Sequence, residues 1–187
     1  MTITLAKWTL DEYHQIIEAG VLLDRQVEFL NGEVIEMLPE GPEHAYQSTL
    51  SADLLRRKLG DRAGVWDAKP ITLPEAASEP EPDIAVVEAL GEIYATRHPY
   101  PENIYLLIEY SYSSLAKDTD AKRKLYARSG IQDYWVINLK DRHVIVYRNP
   151  QNEDYQSVEI LSQGAIVLLA FPDVEIPVNS TLWRLCA

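Results

Sequence analysis

Apolar and polar positions alternate along the chain in two rhythms, and their changes of period mark the elements. In "TLDEYHQIIEAG" a helical spacing opens on Thr9 with Glu12 three residues later, a capping box, and Gly20 is placed to end the helix. "VEFLNGEVIEML" then gives two short apolar runs around Asn31-Gly32, a dipeptide that tolerates positive φ at both positions and so predicts a two-residue hairpin loop. In that register Leu30 faces Glu33 and Glu28 faces Ile35, so Glu28 and Glu36 lie on opposite faces of the hairpin. "GPEHAYQSTLSADLLRRKLGD" returns to a helical period, with Ala45, Leu50, Leu54 and Leu55 expected to form the inward stripe.

Further along, "GVWDAKPITLPEAASEPEPDIAVVEAL" reads as a strand, a proline-rich connection and a second strand opening at Asp83. "NIYLLIEYS" is a nearly continuous apolar run, the pattern of a strand buried on both faces, and Glu109 stands near its end. A third helix is predicted in "KDTDAKRKLYARSG", stopped by Gly130. Asp118, Lys122 and Tyr126 share one of its faces, and Leu125 with Ala121 is expected to face the sheet. "QDYWVINL", "HVIVYRN", "YQSVEIL" and "AIVLLAF" read as short strands joined by polar turns. With no repeat and no internal boundary, residues 1–187 are expected to form one domain, α/β or α+β, around a mixed sheet.

Composition narrows the class. The 187 residues are 47% hydrophobic and 25% charged, ordinary for a globular chain. A single cysteine, Cys186, leaves no intrachain disulfide to form. The start "MTITLAKWTLDEYHQ" lacks the basic and apolar segments of a signal peptide, and "AIVLLAF" is too short to cross a bilayer, so a cytoplasmic protein without membrane contact is expected. The net charge of -12 opposes nonspecific attraction to nucleic acid or anionic lipid. The local exceptions, "RRKLGDR" and "KRKLYAR", read first as solvated helix faces.

Candidate chemistry begins with an anomaly. Asp is a poor strand residue, yet Asp83 opens an apolar strand, where a buried carboxylate needs compensation. If that strand and the Glu109 strand are antiparallel neighbours, the two acids converge at one sheet edge and require a proton or a cation between them. Hard divalent ions are held in this way. A strand-end cap and a salt bridge would account for the same pair without any site.

The set "NGEVIEM", "GPEHA", "PEPDIAVV", "IEY" and "KLYARSGIQDYW" resembles the Uma-type family of restriction-endonuclease-like proteins, within the PD-(D/E)XK nuclease superfamily, from about Thr9 to Arg148. The resemblance implies a restriction-endonuclease-like fold with a central mixed sheet flanked by helices. It also implies a metal-dependent endonuclease that hydrolyses DNA with Mg²⁺ or Mn²⁺. Pro82-Asp83 matches the "PD" and Glu109 the "(D/E)", which makes Asp83 and Glu109 the expected metal ligands. Ser111 stands where the motif has lysine, and the family pattern shifts that role to Lys122, with Lys124 the second choice and Asp118 a residue that could orient the ammonium. By the same resemblance Glu28 would join the metal's outer ligands and His44 would touch a metal water or a phosphate. Glu36 is a weaker candidate, and His14, His98 and His143 have no supporting context. DNA is the expected partner, with a homodimer as a further expectation because two strands are cut most simply by two related sites. A module of the same fold that binds or assembles without cutting is the competing expectation, favoured by Ser111 and by the acidic charge.

Overall fold

In the computed structural model, residues 4–112 and 117–182 are described; Cys186 lies outside them. Helix α1 (Leu10–Glu18) starts at the expected capping box: Thr9 Oγ1 accepts the Glu12 N–H while the Glu12 carboxylate accepts the Thr9 N–H. Strands β1 (Val27–Leu30) and β2 (Glu33–Glu36) form the hairpin in the expected register, Glu28 opposite Ile35. Asn31 and Gly32 both adopt positive φ, and a Cβ on Gly32 would lie 2.9 Å from the Trp8 carbonyl oxygen, so glycine is required there twice over.

Helix α2 (Pro42–Leu59) follows, and then β3 (Gly64–Asp67), β4 (Ile84–Val87) and β5 (Ile104–Ser111). A π-helical turn (Lys117–Lys122) leads into α3 (Arg123–Arg128). The chain continues through β6 (Asp133–Asn138), β7 (His143–Gln151) and β8 (Asp154–Leu161). The small hairpin of β9 (Ala165–Val167) and β10 (Glu175–Pro177) and the short helix α4 (Val178–Thr181) complete the described fold. The sequence pattern gave no sign of β10, whose three residues are too few to show a period.

The central sheet has six strands in the order β3-β4-β5-β6-β7-β8. It is mixed: β5 and β6 run parallel, joined by the α3 crossover, and the other neighbours are antiparallel. Alternation along the buried strands feeds two cores. Ile84, Val86, Ile108 and Tyr110 pack with Leu55 and Leu59 of α2, whereas Ala85, Val87 and Leu107 pack with Leu125 and Tyr126 of α3 and Leu30 of the hairpin. The class is α+β with a restriction-endonuclease-like arrangement. Among the described residues no helix is long and apolar enough to cross a membrane.

Two expected stripes are corrected. On α2, Leu55 is buried and Leu54 packs against the core as expected, but Ala45 is exposed and Leu50 only half-buried; Gln47, Ser51, Ala52 and Leu59 face inward with Leu55. The Ser51 hydroxyl belongs there because it accepts the buried Tyr110 hydroxyl. On the third helix Leu125 faces the sheet as expected, but Ala121 is exposed, because the π turn rotates the residues before Arg123 out of the α-helical frame.

Candidate active site

The β4–β5 ladder pairs Ile84 with Ile108, which places Asp83 and Glu109 at the next facing positions. Both share parity with Ala85 and Leu107, so both belong to the face beneath α3 and the hairpin. Asp83 lies one step beyond β4, where its Oδ2 accepts the backbone N–H of Tyr110 at 2.5 Å. Its Oδ1 stands 3.0 Å from His44 Nε2 at the start of α2. Asp83 therefore meets a backbone amide and an imidazole, and among the described residues no Arg or Lys forms a salt bridge with it.

Lys122 reaches the pair from above. Its Nζ donates to Glu109 Oε1 at 2.8 Å and lies 3.2 Å from Glu28 Oε2, with all three side chains buried. The Tyr126 hydroxyl donates to the same Glu109 oxygen at 2.8 Å. The i→i+5 winding of the π turn brings Lys117 to the same side as Lys122, and Lys117 Nζ donates to Glu28 Oε1. Asp118 is buried behind them, and its backbone carbonyl accepts the Tyr134 hydroxyl. The runner-up Lys124 points to solvent and pairs with Asp120 at 2.6 Å.

Charge in this cluster is unevenly shared. Burial pushes Glu109 up, to about 8; the Lys122 ammonium opposes the shift, while Asp83, Asp118 and Glu28 add to it. For Lys122, burial alone would lower the pKa, but Glu109, Glu28 and Asp118 outweigh it and hold the ammonium protonated above its ordinary range. Glu28 is pushed up by burial and pulled further down by Lys122 and Lys117, so it stays ionised. Glu81, a further carboxylate on the same wall, is raised by burial and then by the charge of Glu28. His44 is disfavoured as a cation by burial, yet the neighbouring Asp83 carboxylate raises it overall.

These groups line a cavity of about 640 Å³. Glu28, Glu81, Asp83, Glu109, Asp118, Lys117 and Lys122, with Glu36, Glu40 and Glu43, supply its charged part, and its apolar part includes Ile35, Met37, Leu38, Pro39, Tyr112 and Leu139. Ser111 is fully buried and does not line it. Two fully buried atoms on its walls, Glu28 Oε2 and His44 Nε2, have charged neighbours but no hydrogen bond directed at them. Glu40, His44 and Asp83 offer ligand atoms that all lie within 4.8 Å of one another. The 3.0 Å between His44 Nε2 and Asp83 Oδ1 matches two neighbouring ligands set at right angles, each about 2.1 Å from one ion. The donor set thus fits a small divalent cation at Asp83.

Of the residues singled out in the sequence, Asp83, Glu109, Lys122, Asp118, Glu28 and His44 are brought to this one cavity, and exposed Glu36 lies on its rim. His143 lies away from it, near Asn138. His14 and His98 gain a partner elsewhere, the buried Glu79, whose Oε2 is 3.0 Å from His14 Nε2 and accepts the Thr72 hydroxyl at 2.7 Å. Sequence reasoning missed Lys117, Glu40 and Glu81. Lys117 carried a signal, since it lies five residues before Lys122, but only in a π turn do those two positions converge.

A search of curated proteins finds no match. Among solved structures, the chain is similar to "a putative nuclease belonging to DUF820 from Anabaena variabilis", at 19% identity and a TM-score of 0.74, covering 93% of this chain and 97% of that one. At that identity the likeness speaks for the fold. The sequence itself speaks for the family: residues 10–179 match the Uma2 family, described as "Putative restriction endonuclease", and this span takes in the hairpin, the Asp83 and Glu109 strands and the Lys122 helix. The chain belongs to the Uma2 family.

Proposed function

We propose that this chain is a metal-dependent endonuclease that hydrolyses phosphodiester bonds in DNA, with Asp83 and Glu109 holding Mg²⁺ or Mn²⁺ and Lys122 acting beside them. The observation that carries this reading is the Lys122 ammonium, buried between Glu109 and Glu28 on the floor of the cavity that also exposes Asp83. Family membership and the nuclease-like neighbour support it.

In this reading a cation held by Asp83 and Glu109 supplies Lewis acidity and lowers the pKa of water in the site. Lys122 holds a fixed positive charge where negative charge grows on the phosphate; a preorganised donor of this kind works best where water is scarce. Tyr126 fixes the Glu109 carboxylate through Oε1 and leaves Oε2 for a ligand. Lys117 and Lys122 keep Glu28 ionised, and Glu28 in turn holds Lys122 over the cavity. His44 orients Asp83 from the opposite wall, and with Glu40 it extends the donor set. We place the enzyme in the cytoplasm as one domain, with a homodimer as the simplest way to cut two strands.

Ser111 favours a second reading, a module of the same fold that binds without cutting, because the motif position carries a buried hydroxyl. A cleavage assay on plasmid and single-stranded DNA with Mg²⁺ or Mn²⁺ separates the two. Wild type should cut and Asp83→Ala should not; an inert wild type that still binds DNA would establish the second reading.

A further inference from the structure

We infer that the cavity receives an unpaired nucleotide, so that the preferred substrate is single-stranded or frayed nucleic acid, with Tyr112 as the platform on which a base stacks. This rests on the nuclease reading and specifies its substrate. Three independent features of the cavity lead to it.

The first is depth. Glu28, Glu109 and Lys122 are at most 4% exposed, and they lie beneath a rim that includes Met37–Gly41 and Tyr112. A scissile phosphate must descend to reach them. Duplex DNA is a rod with a persistence length of about 150 bp and resists dipping one phosphate into a recess, whereas a single strand bends freely.

The second feature is the chemistry of the rim. Leu38 is 80% exposed and Tyr112 59% exposed, and Met37, Pro39 and Ile35 join them on the cavity wall. Open apolar and aromatic surface beside a charged floor suits a nucleotide, with the base on the wall and the phosphate below. Stacking on an aromatic ring tolerates any base because every base has a π face.

The third feature is charge. Among the described residues the lining holds eight carboxylates against two lysines, in a chain of net charge -12. Duplex binding draws its affinity from Lys and Arg that neutralise successive phosphates. Outside the floor, Arg56, Arg62, Arg123 and Arg142 are paired with Asp67, Asp173, Asp154 and Glu43, and the exposed Arg57, Lys58, Arg128 and Lys140 do not line the cavity. Among the described residues only Lys117 and Lys122 meet phosphates inside the cavity, so affinity there has to come from bases, and base faces are available only when unpaired.

The test uses a labelled oligothymidine of about 12 nucleotides, alone and annealed to its complement. Binding is measured by fluorescence anisotropy in Ca²⁺ and cleavage in Mn²⁺. The single strand should bind at least about tenfold tighter than the duplex. Tyr112→Ala should weaken that binding by about tenfold while Tyr112→Phe leaves it intact, with an unchanged and shallow salt dependence. Equal or better binding and cutting of the duplex, or single-strand binding by Tyr112→Ala that equals wild type, overturns the inference and leaves the nuclease reading standing. Absence of cleavage of either form by wild type overturns the nuclease reading, and the inference with it.

Discussion

Two buried acids sit on neighbouring parallel strands of the same sheet and have opposite surroundings. Asp133, at the start of β6, is fully buried and accepts four hydrogen bonds: Trp135 Nε1 at 2.7 Å, Arg148 Nε at 2.9 Å and Nη2 at 3.0 Å, and the Leu169 N–H at 3.1 Å. A guanidinium fork and two neutral donors match a carboxylate's lone pairs, and little is left for a ligand. Glu109, near the end of β5, has one tyrosine and one lysine, and it shares that lysine with Glu28 while Asp83 and Asp118 press on it electrostatically. Burial of an acid is therefore not what marks a site. The mark is an excess of carboxylate over cation, opening onto a cavity.

The comparison can be broken most sharply by removing each acid. Asp133→Ala leaves the Arg148 guanidinium and the Trp135 indole without their partner, and should lower the unfolding free energy by about 3–5 kcal/mol. Glu109→Gln leaves Lys122 its contact with Glu28 and relieves repulsion, so metal-free stability should change by less than about 1 kcal/mol in either direction. Urea denaturation of the two variants measures both. Equal losses would mean that Glu109 is as structural as Asp133.

Lys122→Ala comes next. Cleavage should fall by about 10²–10³, the effect of removing one preorganised electrostatic group, with metal affinity nearly unchanged because the lysine is not a ligand. If Lys124→Ala loses activity instead, the exposed lysine carries the role, despite its contact with Asp120.

A pH series sharpens the same contrast. Burial holds Glu109 protonated up to about 8, and a cation must displace that proton. Mn²⁺ affinity should therefore rise as pH increases from about 6 to about 8, with proton release that Glu109→Gln abolishes. A flat profile would place the ion away from Glu109.

The smallest effect concerns an exposed acid. Glu12 is lowered by its hydrogen bonds to the Thr9 backbone and side chain. Its contribution is present above the unfolded-state value and is lost as pH falls through the lowered folded value. Acid unfolding of wild type and Glu12→Gln should diverge in shape only near and below pH 4.5, the carboxyl's unperturbed value.

Much of this was legible in the sequence wherever a local rule decides the outcome. The Asn31-Gly32 loop fixed the register that aims Glu28, because positive φ at two adjacent positions leaves few other turns. The Asp83 anomaly pointed to the cavity, because an acid at a strand mouth must be compensated, here by the Tyr110 amide and His44. What stayed hidden depended on long-range pairing. The α2 stripe was misread because Ser51 faces inward to meet a tyrosine on a distant strand, and hydropathy cannot register that contact. Lys117 was missed and Ala121 misplaced because the π turn changes the period within one short element. Glu40 and Glu81 stand in segments without periodicity and are gathered to the cavity only by the fold.

The central claim, that the shortage of positive charge around Glu109 marks a cation site, is tested most directly by calorimetric titration of Mn²⁺ into wild type, Glu109→Gln and Glu79→Gln. Glu79 is the control, a buried acid already matched by Thr72 and His14. The expected result is saturable binding by wild type and Glu79→Gln, with affinity reduced at least about tenfold in Glu109→Gln, as for the loss of one group that orders a metal site. Binding by Glu109→Gln equal to wild type would contradict the claim.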